Sequence, residues 1–123
     1  MRPATETVQH LRNQMESLAD HWDPNSGLDS FGTGSKENMA RGDYFLESAS
    51  RVHFFAETTA MEDGKLKAVF VNNKLSALNK SGHAMHMIPG AFQDYALSDS
   101  VRELVLDLGW KDPVVPQVSA CQI

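Results

Sequence analysis

Two groups of histidine side chains are spaced like metal ligands. His83 and His86 are three residues apart, a spacing that places both near one face of a helix, and imidazole nitrogen is a common zinc ligand. No acidic or cysteine side chain in register completes that pair. His21 and Asp23 form a His-x-Asp tripeptide, but they lie where a helix should end, so His21 there faces the negative end of the helix dipole. We therefore predict structural histidines and no metal site.

Composition narrows the class of protein that carries these residues. The 123 residues are 41% apolar and have a net charge of −5, which fits one modest domain. Lysine and arginine form no patch, which argues against the counterion-replacing surface that nucleic acid requires. No apolar run approaches the roughly 18 residues of a membrane span, and residues 1–6 lead into no secretory signal. With Cys121 as the single cysteine, we predict a cytoplasmic protein with no disulfide and neither a nucleic-acid nor a membrane partner.

The first half of the chain predicts a helix, a loop and a hairpin. An amphipathic helix is expected over residues 5–22, capped by Thr5 or Thr7 and ended by Pro24. Its apolar stripe, with spacings of three and four, is Val8, Leu11, Met15, Leu18 and Trp22. Residues 25–36 contain three glycines and three serines, which favours a loop.

The hairpin is predicted from alternation and from a turn dipeptide. Val52, Phe54 and Ala56 alternate with the residues between them, and Asp63-Gly64 is typical of a turn. Residues 66–71 would then run back as the second strand.

The second half of the chain predicts helices and one unfinished strand. Residues 73–87 are expected to be helical, with Asn72 or Asn73 as cap, followed by a short helical turn over residues 91–96. A further helix should open at Ser98 or Asp99 and run through Leu108. Ser100 and Glu103 have capping-box spacing there, and Gly109 stands where a left-handed residue is wanted. Its predicted buried face is Val101, Leu104, Val105 and Leu108. Residues 114–123 read as the start of a strand.

Three stretches of sequence carry a family resemblance. Residues 78–86 read Leu-Asn-Lys-Ser-Gly-His-Ala-Met-His, residues 43–48 read Asp-Tyr-Phe-Leu-Glu-Ser, and residues 51–55 read Arg-Val-His-Phe-Phe. In combination they resemble the phytanoyl-CoA dioxygenase family. The resemblance implies an α+β fold in which this chain supplies the helical scaffold and first strands of a double-stranded β-helix, or jelly roll. It also implies chemistry that uses iron(II) and 2-oxoglutarate to oxidise a small-molecule substrate, whose identity is left open.

The resemblance also implies where the cosubstrate binds. In the family, a lysine within a stretch like Glu-Lys-Ala-Leu-Asn-Lys-Ile-Gly-His contacts 2-oxoglutarate. Counting back from Asn79 places Ser76 at that position, with Lys74 two residues earlier. Lys74 and Ser76 are therefore the predicted cofactor-binding residues. The family's iron ligands normally lie further along than this chain reaches, so no catalytic residue is predicted.

The likeness covers residues 5–117 and is lost after Gln117. We therefore expect residues 1–123 to be a partial domain, an N-terminal fragment of a dioxygenase-like protein that is inactive as given and holds no cofactor itself. Two alternatives stay open. One is a non-catalytic interaction protein, including self-association through the strand at 114–123. The other is a small metal-binding module that uses His83 and His86.

Overall fold

The computed structural model describes residues 4–30 and 43–121, which form a mixed arrangement of helices and a small sheet. The helices are α1 (Thr5–His21), α2 (Asp43–Glu47), α3 (Ala91–Ala96) and α4 (Asp99–Asp107). The strands are β1 (Asp29–Ser30), β2 (Val52–Ala56), β3 (Met61–Glu62), β4 (Lys65–Leu66), β5 (Leu78–His83) and β6 (Ala120–Cys121). The predicted α+β class is confirmed at this level.

A four-stranded mixed sheet organises the described part of the chain in the order β1-β2-β5-β6. β1 is parallel to β2, whereas β5 is antiparallel to both of its neighbours, β2 and β6. Phe55 is the register partner of Lys80, and Lys80 in turn is the partner of Cys121. These three side chains therefore share one face of the sheet.

The other face of the sheet is covered by α1. Ala19 and Trp22, at the end of the helix, pack with Leu78 of β5, and the Trp22 ring stacks on Phe54 with 5.0 Å between centroids. Met15, Leu28 and Leu75 surround this cluster. Full burial of one such large side chain is worth about 1.5–3 kcal/mol, so Met15 and Trp22 of the predicted stripe, together with Ala19, hold the helix on the sheet.

Both faces of β2 are covered, which explains why its burial does not simply alternate. Phe54 faces α1, while Phe55 is completely buried on the opposite face. The alternation predicted for residues 52–56 therefore correctly identifies a strand but not a solvent-exposed side.

The predicted return strand at residues 66–71 is wrong. The Asp63-Gly64 turn closes only the two-residue strands β3 and β4, and both turn residues have positive φ, as a type I′ hairpin turn requires. Residues 68–70 form a 3₁₀ turn instead. The long antiparallel partner of β2 is β5.

The predicted helix over residues 73–87 is also wrong. Lys74–Ala77 form a 3₁₀ turn without a side-chain cap at Asn73, residues 78–83 are β5, and Met85–Met87 form another 3₁₀ turn. β5 pairs with β2 on one side and with β6 on the other, so its backbone groups form inter-strand hydrogen bonds. A helix over the same residues would lose those bonds.

The two C-terminal helices match the sequence prediction closely. α3 spans the predicted residues, and α4 starts one residue after Ser98, whose hydroxyl accepts the Val101 N–H at 3.4 Å. Ser98 is thus the cap, and the box proposed for Ser100 is not formed. Gly109 has φ of 84°, as expected for a left-handed terminating residue.

The predicted buried face of α4 is only partly correct. Val101 and Val105 are half-buried, but Leu104 and Leu108 are 46% and 70% exposed.

Short strands occur both in the segment predicted as a loop and in the segment predicted as a C-terminal strand. Residues 25–30 include β1, so the loop predicted at 25–36 is interrupted there, and residues 31–36 lie outside the described part. The predicted strand at 114–123 is reduced to β6, preceded by a single bridge between Val118 and Ala84. Residues 122–123 lie outside the described part. No helix in the described ranges is long and apolar enough to cross a membrane.

Candidate functional site

Lys80 lies at the centre of a polar and aromatic cluster on the face of the sheet opposite α1. We call it the Lys80 cluster, and its members are Phe45 and Ser48 from the α2 segment, Phe55 from β2, and Lys80 and His83 from β5. Ser48 and Phe55 are completely buried, and His83 is 6% exposed. The Ser48 carbonyl also accepts the backbone N–H of His83 at 3.0 Å, which fixes the α2 segment against the end of β5.

A chain of hydrogen bonds runs through the cluster and defines its protonation. Lys80 Nζ lies 2.8 Å from His83 Nε2, and His83 Nδ1 lies 2.6 Å from Ser48 Oγ. An ammonium can only donate, so Nε2 accepts and the neutral ring carries its proton on Nδ1. Nδ1 therefore donates to Ser48 Oγ, and the Ser48 hydroxyl donates onward to the Phe45 carbonyl at 2.5 Å.

Aromatic rings surround the ammonium. Lys80 Nζ lies 5.7 Å from the Phe45 centroid and 5.4 Å from the Phe55 centroid, within the range of cation–π attraction. The His83 ring meets the Phe45 ring edge-on at 5.3 Å. The cation therefore sits in a partly desolvated setting in which a bound anion would be attracted more strongly than in water.

Burial shifts both titratable groups of the pair toward neutrality. Desolvation lowers the pKa of Lys80, and the negative charge that Cys121 carries when deprotonated opposes this shift. Desolvation is also the main cause that lowers the pKa of His83, with further contributions from the charges of Lys80 and His53. A lowered imidazole pKa is consistent with the neutral ring that the hydrogen bonds require.

Tyr44 and His53 border the cluster and join the α2 segment to β2. The Tyr44 ring stacks on His53 at 4.2 Å, and its hydroxyl accepts the Phe54 N–H at 3.2 Å. Burial raises the pKa of Tyr44. Gly27 leaves the room that this ring needs, because a Cβ there would lie 2.6 Å from the Tyr44 ring.

The structure places the two predicted cosubstrate residues away from the Lys80 cluster. Lys74 Nζ donates to the carbonyls of Asp20, at 2.7 Å, and Trp22, where α1 ends. Ser76 is exposed, and its hydroxyl donates to the Asn73 carbonyl at 2.8 Å. Lys74 and Ser76 share a 3₁₀ turn but no common hydrogen-bond partner among the described residues.

The histidine pair singled out from the sequence does not lie on a helix. His83 is on β5 and His86 in the following 3₁₀ turn, so they do not share a helical face. His86 Nδ1 is buried without a hydrogen-bond partner among the described residues. His21 Nδ1 lies 2.7 Å from the Ser17 carbonyl, at the end of α1, as predicted for a structural histidine.

These residues do not fit an iron centre. Within residues 4–30 and 43–121, no three His, Cys, Asp or Glu side chains converge on one point. Both ring nitrogens of His83 are occupied, one by Ser48 and the other by Lys80. The Lys80 ammonium, by contrast, has the charge and the partly desolvated setting that suit a carboxylate ligand.

Sequence reasoning missed the Lys80 cluster. Lys80 stands inside the very stretch that carries the resemblance, directly after Asn79. Its role is hidden at the level of sequence because the pattern of that stretch predicts a helix. In a strand, the pairing of Lys80 with Phe55 is what reveals the cluster.

Comparison with known proteins identifies the class. No family model matches the chain. A phytanoyl-CoA dioxygenase domain-containing protein 1 homolog from Dictyostelium discoideum is 34% identical over 105 residues, which are 85% of this chain and 36% of that protein. A phytanoyl-CoA dioxygenase from Arabidopsis thaliana is 32% identical over 111 residues, 89% of this chain and 37% of that protein.

A phytanoyl-CoA dioxygenase domain-containing protein 1 homolog from Caenorhabditis elegans is 30% identical over 90% of this chain and 35% of that protein. The chain therefore belongs to the phytanoyl-CoA dioxygenase family, as the resemblance predicted. Two of these three relatives carry the name of the domain-containing protein 1 branch. The chain spans little more than a third of the length of these curated relatives.

Proposed function

We propose that this chain is part of an iron(II)- and 2-oxoglutarate-dependent dioxygenase-like protein, and that Lys80 binds a carboxylate of 2-oxoglutarate. The observation that carries the proposal is the position of the Lys80 ammonium, partly buried between two aromatic rings and 2.8 Å from a neutral imidazole. Membership of the family supports the choice of cosubstrate.

Two lysines compete for this role, and their contacts differ. The Lys74 ammonium is bonded to two backbone carbonyls at the end of α1, so an anion there would have to replace both. Lys80 Nζ instead lies on the sheet face that α2 covers, near the Phe45 and Phe55 rings and beside the His83 imidazole, where a bound carboxylate would be partly desolvated. We therefore favour Lys80 and keep Lys74, with Ser76, as the alternative derived from sequence.

The proposal also covers the fold of the whole protein, its iron chemistry and its location. The sheet β1-β2-β5-β6 would supply first strands of a double-stranded β-helix. In such enzymes, bound iron(II) supplies the oxidising chemistry. The residues described above do not form a site that fits iron(II). We therefore propose that the 123-residue chain alone does not turn over a substrate, whose identity stays open, and that the protein is cytoplasmic.

The test measures binding of 2-oxoglutarate to the 123-residue chain by calorimetry or NMR. Lys80→Met should abolish the binding seen for the unaltered chain, whereas Lys74→Met should change it less than about threefold, which is under 1 kcal/mol. Methionine keeps most of each apolar stem and removes the charge. Loss of binding in Lys74→Met alone would transfer the role to Lys74.

A second calorimetric titration addresses iron. Iron(II) added with 2-oxoglutarate should give no one-to-one micromolar complex, and His21→Ala should not alter any weak binding that is seen. A tight 2-oxoglutarate-dependent iron complex would refute the proposal that this chain alone is inactive.

The alternative of an interaction protein is favoured by one specific observation. β6 is the edge of the described sheet, with Ala120 and Cys121 paired to β5 on one side, and an edge strand can pair with another chain. Self-association through β6 is therefore the second candidate. Its test is the oligomeric state at micromolar concentration, with Ala120→Pro as a variant that removes a backbone donor.

A further inference from the structure

His83 holds Lys80 through the hydrogen-bond chain described above, and this chain has a definite direction. The ammonium donates to Nε2, Nδ1 donates to Ser48 Oγ, and Ser48 donates to the Phe45 carbonyl. The last acceptor is a backbone carbonyl of the α2 segment, which is fixed against β5. The ring is thus held in orientation and tautomer from both sides.

We propose that His83, while its ring is neutral, is a positioning residue for Lys80, and that carboxylate binding at Lys80 is coupled to proton uptake by His83. This inference rests on the proposed role of Lys80. The imidazole directs the ammonium across the aromatic face of Phe45 and Phe55, where the ligand carboxylate would meet it. An ammonium carries three N–H donors, so a bond to His83 does not exclude a bond to a carboxylate.

A proton and the Lys80 ammonium compete for the same lone pair, that of His83 Nε2. Nε2 cannot accept from Lys80 once it is protonated, and two adjacent positive charges repel each other. In the free protein this competition keeps His83 neutral. A bound carboxylate adds a negative charge beside the pair, which compensates the ammonium and stabilises a protonated ring. The pKa of His83 is therefore higher in the complex than in the free protein.

The sign of the pH dependence follows from linkage. A group whose pKa rises on binding takes up a proton, so binding is strongest below the pKa of the free protein. It weakens as the pH rises through the pKa of the complex. An opposite charge within about 4–6 Å changes a pKa by about one unit or more, and a change of one unit corresponds to about a tenfold change in affinity.

Several other titratable groups lie on the elements packed around His83. On β5 itself the group is Lys80. On β2 it is His53, whose charge acts on His83. Tyr44 of the α2 segment stacks on His53, and Cys121 of β6 is the register partner of Lys80. The acidic residues of α2 are Asp43 and Glu47, and neither is among the groups that shift the pKa of His83.

The direct test is an NMR titration of the His83 imidazole in the 123-residue chain, with and without saturating 2-oxoglutarate. We expect the proton on Nδ1 in the free chain and a pKa at least about one unit higher in the complex. The exposed His21 serves as an internal control, and its NMR signals should be the same with and without 2-oxoglutarate. From a pH below the pKa of His83 in the free chain to a pH above its pKa in the complex, the affinity should fall about tenfold if binding raises that pKa by one unit.

Two variants separate positioning from a merely structural role. His83→Gln keeps an acceptor but cannot titrate, so at about pH 8 it should bind within about threefold of the unaltered chain and lose the pH dependence. His83→Leu removes the acceptor and should bind at least about tenfold more weakly at the same pH. Circular dichroism checks that both fold, and the titration of the unaltered chain decides the question if His83→Leu does not.

The outcomes distinguish this inference from the proposed function. If 2-oxoglutarate binds through Lys80 and the pKa of His83 stays unchanged, the coupling is refuted and the Lys80 site stands. If His83→Gln keeps the full pH dependence, His83 is not its source and the inference is again refuted. If the unaltered chain binds no 2-oxoglutarate at millimolar concentration, both the Lys80 site and the inference are overturned.

Discussion

Lys74→Met should destabilise the fold without weakening the binding of 2-oxoglutarate. The Lys74 ammonium donates to the carbonyls of Asp20 and Trp22, which belong to the set left unsatisfied where α1 ends at His21. A cation at a helix C-terminus is worth about 0.3–1 kcal/mol, and up to about 2 kcal/mol when partly buried. Lys74 is half-buried, and water replaces part of each lost bond. We therefore expect a loss of about 1–2 kcal/mol.

The assay is urea denaturation followed by far-ultraviolet circular dichroism. With a slope of about 1–3 kcal/mol per molar urea, the expected loss lowers the midpoint by about 0.3–2 M. Lys67→Met is the matched control, because Lys67 makes an exposed bond to the Thr59 carbonyl and its loss should cost less than about 0.5 kcal/mol. An unchanged midpoint for Lys74→Met, together with lost 2-oxoglutarate binding, would refute the structural role.

Three further results are expected. Phe55→Ala should cost about 3–5 kcal/mol in urea denaturation, because Phe55 is completely buried, whereas Val69→Ala should be nearly neutral because Val69 is 77% exposed; equal losses would contradict the assigned core. Ser98→Ala should lower stability by about 1 kcal/mol and Ser100→Ala by less than about 0.5 kcal/mol, and the reverse order would restore the predicted capping box. The chain should associate at micromolar concentration in light scattering, and a monomer unfolding cooperatively above about 60 °C would count against self-association.

The sequence correctly predicted those structural features that are determined by residues close together in the chain. The stripe of α1, the Asp63-Gly64 turn and Gly109 after α4 each act within a few residues, and each is found in the structure. Helix caps are harder to assign, since Ser98 and Ser100 both have suitable side chains. Only the position of the Val101 N–H decides between them.

Pairing between strands that are far apart in the sequence determined the conformation of a segment that its local pattern did not predict. Leu75, Leu78 and Met85 have helix-like spacing, but Leu78–His83 is a strand because β2 and β6 flank it. The partner of Phe55 is Lys80, 25 positions along the chain. No local pattern marks that pairing, and it is also what assembles the Lys80 cluster. The family resemblance therefore pointed to the stretch that contains Lys80 but not to the conformation of that stretch.

The two tryptophans lie in opposite surroundings, which gives the molecule a built-in pair of optical reporters. Trp22 is 5% exposed, stacks on Phe54, and donates from Nε1 to the Gly27 carbonyl at 3.3 Å, whereas Trp110 is 65% exposed. Trp22 should therefore emit at shorter wavelength and resist aqueous quenchers. Replacing Trp110 with phenylalanine would leave fluorescence that follows only the docking of α1 on the sheet.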